Sequence, residues 1–191
     1  MAFIANLVMS KLINMKKIKT RIDFFKEHPD LVMAELGVYR GEFSRELLTC
    51  KPKFLYLVDI WTGVTTSADK DGKNNSVDWD IFKTYVKLCH EFVNDPVMVI
   101  RGSSANFLEA MPDNSLDCVY IDSDHSYFTV HQELELSIAK VKPGGWITGH
   151  DYVDLAPGVI RAVDEFLLKT GYKIEYMTED GCPSYYIKNN K

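Results

Sequence analysis

Two short acidic turns carry the residues most suited to chemistry. Asp122-Ser123-Asp124-His125 follows the apolar run Leu116–Ile121, and Gly149-His150-Asp151-Tyr152 follows Trp146-Ile147-Thr148. Carboxylates are hard oxygen donors for a divalent cation, and imidazole is both a metal ligand and a proton acceptor near neutral pH. Asp122, Asp124, His125, His150 and Asp151 together could hold a metal and take the proton from a hydroxyl. A plainer role exists for part of the set: a helix start needs one short polar cap, so one of Asp122 and Asp124 is expected to supply it. His131, His90 and Tyr152 read as surface or packing residues, with Tyr152 also placed to shape a pocket.

What must position the turns is legible around them. Tyr127, Val130, Leu134, Ile138 and Val141 recur every three or four residues, one face of a helix, and Pro143-Gly144-Gly145 ends it. Two strands joined by a crossover helix lie parallel, so both turns leave the sheet at one carboxyl edge. Open α/β sheets bind ligands at that edge.

Upstream, Leu31–Leu36 reads as a strand ending in Glu35-Leu36-Gly37-Val38-Tyr39-Arg40-Gly41, and a helix follows. Phe54–Ile60 is a second strand with Asp59 near its end, and Val97–Ile100 a third, running into Arg101-Gly102-Ser103-Ser104. Val159, Ile160, Val163, Phe166 and Leu167 mark a last helix, before strands at Tyr172–Met177 and Ser184–Ile187 separated by Glu179-Asp180-Gly181. This alternation predicts a doubly wound α/β fold: a mostly parallel seven-stranded sheet with a terminal antiparallel hairpin. The chain is expected to be one domain, 1–191, with an N-terminal helical extension over 1–28 and a core over 29–191. Residues 62–77 are polar and without period, which suits either a binding loop or plain disorder.

Glycines at 37 and 41 let a ligand approach the backbone, and an acid about twenty residues later is suited to ribose hydroxyls. The dinucleotide pattern G-x-G-x-x-G is broken by Tyr39 and Glu42, and no G-K-[ST] exists, so a nucleoside without a pyrophosphate fits better than NAD. Glu35 would repel a pyrophosphate and attract a cationic amino-acid group. Trp61, just after Asp59, is placed to stack on a base or to pack.

On these residues the chain resembles class I S-adenosylmethionine-dependent methyltransferases, which have a Rossmann-like fold. The resemblance implies that Glu35, Gly37 and Gly41 hold the methionine part of the cofactor, Asp59 the ribose, and Ser103 the adenine, with Trp61 and Asp122 adjoining. Ile121–Tyr127, Lys142–Gly145 and Gly149–Tyr152 resemble the metal-dependent sugar and small-molecule O-methyltransferases, the macrolide-sugar enzymes among them. There the acid after strand four and an acid pair after strand five hold a divalent metal, commonly magnesium, and a histidine three residues after the first acid is the base. That implies Asp122, His150 and Asp151 as metal ligands, and His125 as base beside Asp122. His150 replaces the first acid of the pair, which leaves magnesium, manganese, zinc or no metal open.

Composition narrows the classes. Hydrophobic residues are 46% and charged ones 26%, a globular balance, and the net charge of −5 argues against nucleic acid as a partner. Residues 1–21 nevertheless hold Lys11, Lys16, Lys17, Lys19 and Arg21 with no acid. Such a run suits a solvated face, or less often a membrane surface or phosphates. Cys50, Cys89, Cys118 and Cys182 form no paired pattern, which suits a reducing, cytoplasmic setting. No stretch is long enough to span a bilayer. The expected partner is a small-molecule or glycan acceptor, a sugar first and a catechol-type phenol second; self-association is left open. The alternative from another class is a non-catalytic cofactor-binding interaction domain.

Overall fold

The computed structural model describes residues 15–61 and 79–191. Residues 1–14 of the expected N-terminal extension and the polar stretch at 62–77 lie outside them. In chain order the elements are β1 (Lys16–Ile18), α1 (Arg21–Glu27), β2 (Val32–Leu36), α2 (Glu42–Thr49), β3 (Phe54–Asp59), α3 (Trp79–Glu91) and β4 (Val97–Arg101). There follow α4 (Ser104–Ala110), β5 (Leu116–Ile121), α5 (Tyr127–Lys140), β6 (Val141–Gly149), α6 (Pro157–Thr170), β7 (Ile174–Thr178) and β8 (Tyr185–Lys188). The strands form one sheet in the order β1-β7-β8-β6-β5-β2-β3-β4. All neighbours are parallel except β8, which runs antiparallel to β6 and β7. This is the doubly wound, Rossmann-like architecture with its terminal hairpin, and the order reverses between β2 and β5.

β2 and β5 read as near-continuous apolar runs because helices cover both faces of the sheet. Ala34, Leu36, Val119 and Ile121 face one apolar cluster, against Val130, Leu134, Val163 and Phe166 of α5 and α6. Met33, Cys118 and Tyr120 face the other, with Phe24, Phe25, Phe43 and Leu47 of α1 and α2. The period of two along each strand thus divides the core into two layers.

Helix ends follow local chemistry. Asp23 accepts from the N–H and hydroxyl of Thr20 at the start of α1 (3.1 and 2.8 Å). Pro157 opens α6, and Gly171 closes it in the left-handed region.

Two expectations change. The N-terminal stretch is not wholly helical: Lys16–Ile18 forms an eighth strand, parallel to Tyr176–Thr178 at the sheet edge. Its periodicity is too short to distinguish strand from helix, and the open edge of β7 decides. Pro143-Gly144-Gly145 does not lie in a separate turn but within β6, where pairing jumps from Leu116↔Val141 to Cys118↔Trp146. Gly144 N–H donates to the Asn189 carbonyl (2.7 Å) and Asn189 N–H to that of Gly145 (2.9 Å), so the bulge is stitched to the C-terminal end. Among the described residues no helix is long and apolar enough to cross a membrane.

Candidate active site

At the reversal of strand order the ends of β2 and β5 touch. Asp122 N–H donates to the Leu36 carbonyl (2.7 Å), and His150 N–H to that of Ile121 (3.0 Å), so the sheet ladder carries both acidic turns out side by side. Gly37 lies against the Asp122 backbone at φ +89°; a Cβ there would sit 1.9 Å from the Asp122 carbonyl oxygen. Only glycine fits this approach.

The glycine turn is braced by Asp59. One carboxylate oxygen accepts from the N–H groups of Val38 and Tyr39 (2.9 Å each), and the other from Trp61 N–H (2.8 Å). A carboxylate offers about four lone-pair positions, so three bonds leave it room for a further donor. Gly102 N–H reaches the Asp59 carbonyl (2.9 Å), which places Ser103, the cap residue of α4, beside the same strand end.

Two residues expected near the cofactor have other roles in the fold. Trp61 is 1% exposed; its indole N–H donates to the Tyr39 carbonyl (2.9 Å) and its ring lies against Tyr85, so it packs beneath the turn and offers no open face for stacking. Glu35 is also 1% exposed, accepts from the Ser44 hydroxyl (2.6 Å), and has its pKa pushed up to about 8 by burial. It is therefore mostly neutral near pH 7 and ties α2 to β2, rather than presenting a negative charge to an amine.

The second corner holds the acids and imidazoles. His125 Nε2 lies 3.0 Å from Asp151 Oδ2 and 3.7 Å from Asp122 Oδ1. His150 Nδ1 lies 3.2 Å from the same Asp151 oxygen and 3.7 Å from the same Asp122 oxygen. Arg21 Nη1 approaches the other Asp122 oxygen at 3.4 Å. Capping is handled by neighbours: Ser126 caps α5, and Asp124 accepts from Ser126 N–H and the Thr129 hydroxyl (2.9 and 3.1 Å). Asp124 is thereby committed to the turn, while Asp122 is left facing the histidines. His125 and Asp151 both hold positive φ (58° and 57°), a strained conformation for such residues. Tyr152 turns its hydroxyl to Asp164 (2.6 Å) and packs in the core, His131 lies against the Tyr127 ring, and His90 is exposed.

Electrostatics revise one expectation. Hydrogen bonds to Asp122 and then Asp151 raise the His125 pKa to about 10, and the two histidines hold Asp151 far below the usual carboxylate range. His125 here is an imidazolium clamped between carboxylates, not a base poised at neutral pH.

The donors suit a divalent cation. Asp122, His125 and Asp151 each offer a ligand atom, and these lie within 4.8 Å of one another. Two oxygens and an imidazole suit manganese or zinc, and also magnesium with waters completing its shell. His125, expected only as base, stands in this set with Asp122 and Asp151, while His150, expected as a ligand, lies beside it, 3.2 Å from Asp151 Oδ2.

Three features escaped the sequence reading. Arg21 was visible only as part of a basic run. Glu133, fully buried on α5, accepts from the Ser123 hydroxyl (2.8 Å) and has its pKa raised to about 7 by burial; an acid on the apolar face of a helix was its signal. Phe128 and Leu155, 81% and 89% exposed, follow the two acidic turns, Phe128 with its ring edge-on to Tyr127.

A methyltransferase-domain family model matches residues 34–152, which run from β2 to the second acidic turn. The chain belongs to the methyltransferase-domain family. Members of the class share its fold: SMU.1697c of Streptococcus mutans, solved in complex with SAH, superposes with a TM-score of 0.61 at 10% identity, over 87% of this chain and 94% of that one. An rRNA methylase of Streptococcus thermophilus gives 0.60 at 10% identity, over 89% and 94%. The uncharacterized protein R132 of Acanthamoeba polyphaga mimivirus is 27% identical over 143 residues, 74% of this chain, which spans 61% of that protein's length.

Proposed function

We propose that this family member is an S-adenosylmethionine-dependent O-methyltransferase acting on a hydroxyl of a small molecule or glycan, a sugar with neighbouring hydroxyls first. The observation that carries this reading is the Asp122–Asp151 pair, bridged by imidazoles and abutting the glycine turn through the Gly37 contact. A cofactor domain without chemistry needs a braced turn but not two acids facing two imidazoles, with His125 and Asp151 both at positive φ.

The cofactor, when bound, supplies an electrophilic methyl on a sulfonium. A divalent cation, when held by Asp122 and Asp151 with His125 or His150, would acidify a hydroxyl. The chain's own residues do the rest. Gly37 permits close approach, Asp59 would offer its remaining lone-pair capacity to the ribose, and Ser103, beside the end of β3, would contact the base. Positioning of this kind makes a bimolecular step effectively unimolecular. His125 stands at the acceptor side and is the candidate proton acceptor. To act as one it must first lose its own proton, which requires the charge of Asp122 and Asp151 to be drawn elsewhere. Phe128 and Leu155 would cover an apolar part of the acceptor. The raised His125 pKa also keeps a catechol-type phenol in view, because a phenol ionises with less help than a sugar hydroxyl.

The test is incubation with labelled S-adenosylmethionine and panels of sugars, nucleotide sugars, glycans and phenols, with and without EDTA. Label on an oxygen, lost on chelation and restored by magnesium or manganese, is the expected result. Transfer to nitrogen or carbon, or full activity in excess EDTA, would overturn it.

A further inference from the structure

The glycine turn has few donors to give an anion. Gly37 N–H is bonded to the Val58 carbonyl, Val38 and Tyr39 N–H to Asp59, and Gly41 N–H to the Val38 carbonyl. The first turn of α2 beyond it carries Glu42, which opposes negative charge. Backbone N–H groups are strong, obligatory donors, and once paired they are poor ones for a ligand. The start of α2 has no side-chain cap, but Glu42 stands there, so a carboxylate seated at this turn is better met by a side-chain cation.

Of the nearby arginines, Arg45 is committed in a two-point pair with Glu91 (2.6 and 2.8 Å). Arg40 is exposed and lies over the Tyr39 ring. Arg21 differs from both. Its guanidinium stacks 3.9 Å over Phe43, at the start of α2, and meets Asp122, whose backbone touches Gly37. Its backbone is anchored by the Tyr186 hydroxyl donating to the Arg21 carbonyl (2.9 Å), so the side chain extends from a fixed point. The contact with Asp122 is long, at 3.4 Å, and Tyr120 is a further partner of the same group, which still leaves some of the five guanidinium N–H groups for another acceptor.

Resting on the proposed cofactor, we infer that Arg21 binds the carboxylate of its amino-acid part. The planar fork suits a carboxylate bidentately, and stacking on Phe43 keeps it oriented. Asp122 serves as the resting partner of the same guanidinium.

Calorimetry with two ligands tests this: S-adenosylhomocysteine, and its decarboxylated analogue, which keeps the amine and the nucleoside. The parent should prefer the carboxylate-bearing ligand by roughly 10- to 100-fold, the worth of a charged hydrogen-bonded contact. Arg21→Ala should bring that ratio close to one by weakening only S-adenosylhomocysteine, and Arg21→Lys should keep part of it. Asp59→Ala should weaken both ligands alike and preserve the ratio. The ratio within one variant is independent of how much of that variant is folded. An unchanged ratio in Arg21→Ala would overturn the inference and give the carboxylate to the first turn of α2. Equal weakening of both ligands would also overturn it, leaving Arg21 as packing for Phe43. A parent that binds neither ligand would overturn the proposed cofactor, and the inference with it.

Discussion

Asp59 and Asp151 both end parallel strands at the same sheet edge, yet they are held in opposite ways. Asp59 is fixed by three backbone N–H groups, which cannot leave and do not titrate. Asp151 is held by two imidazoles, which can do both. The first arrangement suits a rigid seat for a ligand that the protein must bind repeatedly in one pose. The second suits a centre whose charge is rearranged when something arrives. Rigid and switchable chemistry thus occupy adjoining corners of one edge.

The contrast can be broken most severely where the corners touch. Gly37→Ala puts a methyl into the Asp122 carbonyl at a positive φ, so stability should fall by about 4 kcal/mol or more, with cofactor binding lost. Thermal melts with and without S-adenosylhomocysteine measure both. His125→Ala should lower the methyl-transfer rate by about 10²–10⁴-fold while cofactor affinity stays near the parent value, because the proposed nucleoside seat is the other corner. A parallel loss of affinity would show that the corners are not separate. Asp59→Ala should do the reverse, weakening S-adenosylhomocysteine by roughly 1–3 kcal/mol in calorimetry. It should also loosen the turn, since three N–H groups lose their acceptor.

A pH prediction follows from the sign of the His125 shift. Its pKa is raised, so the pairing with Asp122 and Asp151 is fully present below the ordinary histidine value and lost as pH rises through about 10. A cation taking those carboxylates must displace that proton. Manganese affinity should therefore rise between about pH 6 and about pH 9, by up to roughly tenfold per pH unit, with proton release in calorimetry. A flat profile would place the cation elsewhere. His131→Ala, whose ring lies against Tyr127, should change neither rate nor affinity, and serves as the smallest effect in the series.

Much of this edge was legible in the sequence because backbone topology alone creates it. Parallel strands joined by helices force Asp59, Asp122 and Asp151 to one side, whatever their side chains do. What could not be read was each group's surroundings. Glu35 occupies the position of a ligand-facing acid, but Ser44 and burial neutralise it. Trp61 follows the expected ribose acid, Asp59, but is buried, with its backbone at φ 35°. His125 lies beside Asp122, but its charge depends on distances to two carboxylates, one of them after another strand. Arg21 was hidden because its meaning depends on a partner 101 positions later.

The short strand β1 has a consequence for the order in which the molecule is made. Among the described residues its one sheet neighbour is β7, and the anchor of Arg21 is Tyr186 on β8, separated by 165 positions of chain. During synthesis the N-terminal segment leaves the ribosome first and must wait for the last strands before it can dock. Such long-range closure slows folding and leaves surface open meanwhile. A nascent or C-terminally trimmed chain could assemble β2 to β6 with Asp59, Asp122 and Asp151 in register, and still have Arg21 unplaced. The β7–β8 hairpin therefore times the site: the Arg21 guanidinium is set beside Phe43 and Asp122 only after β8 has formed.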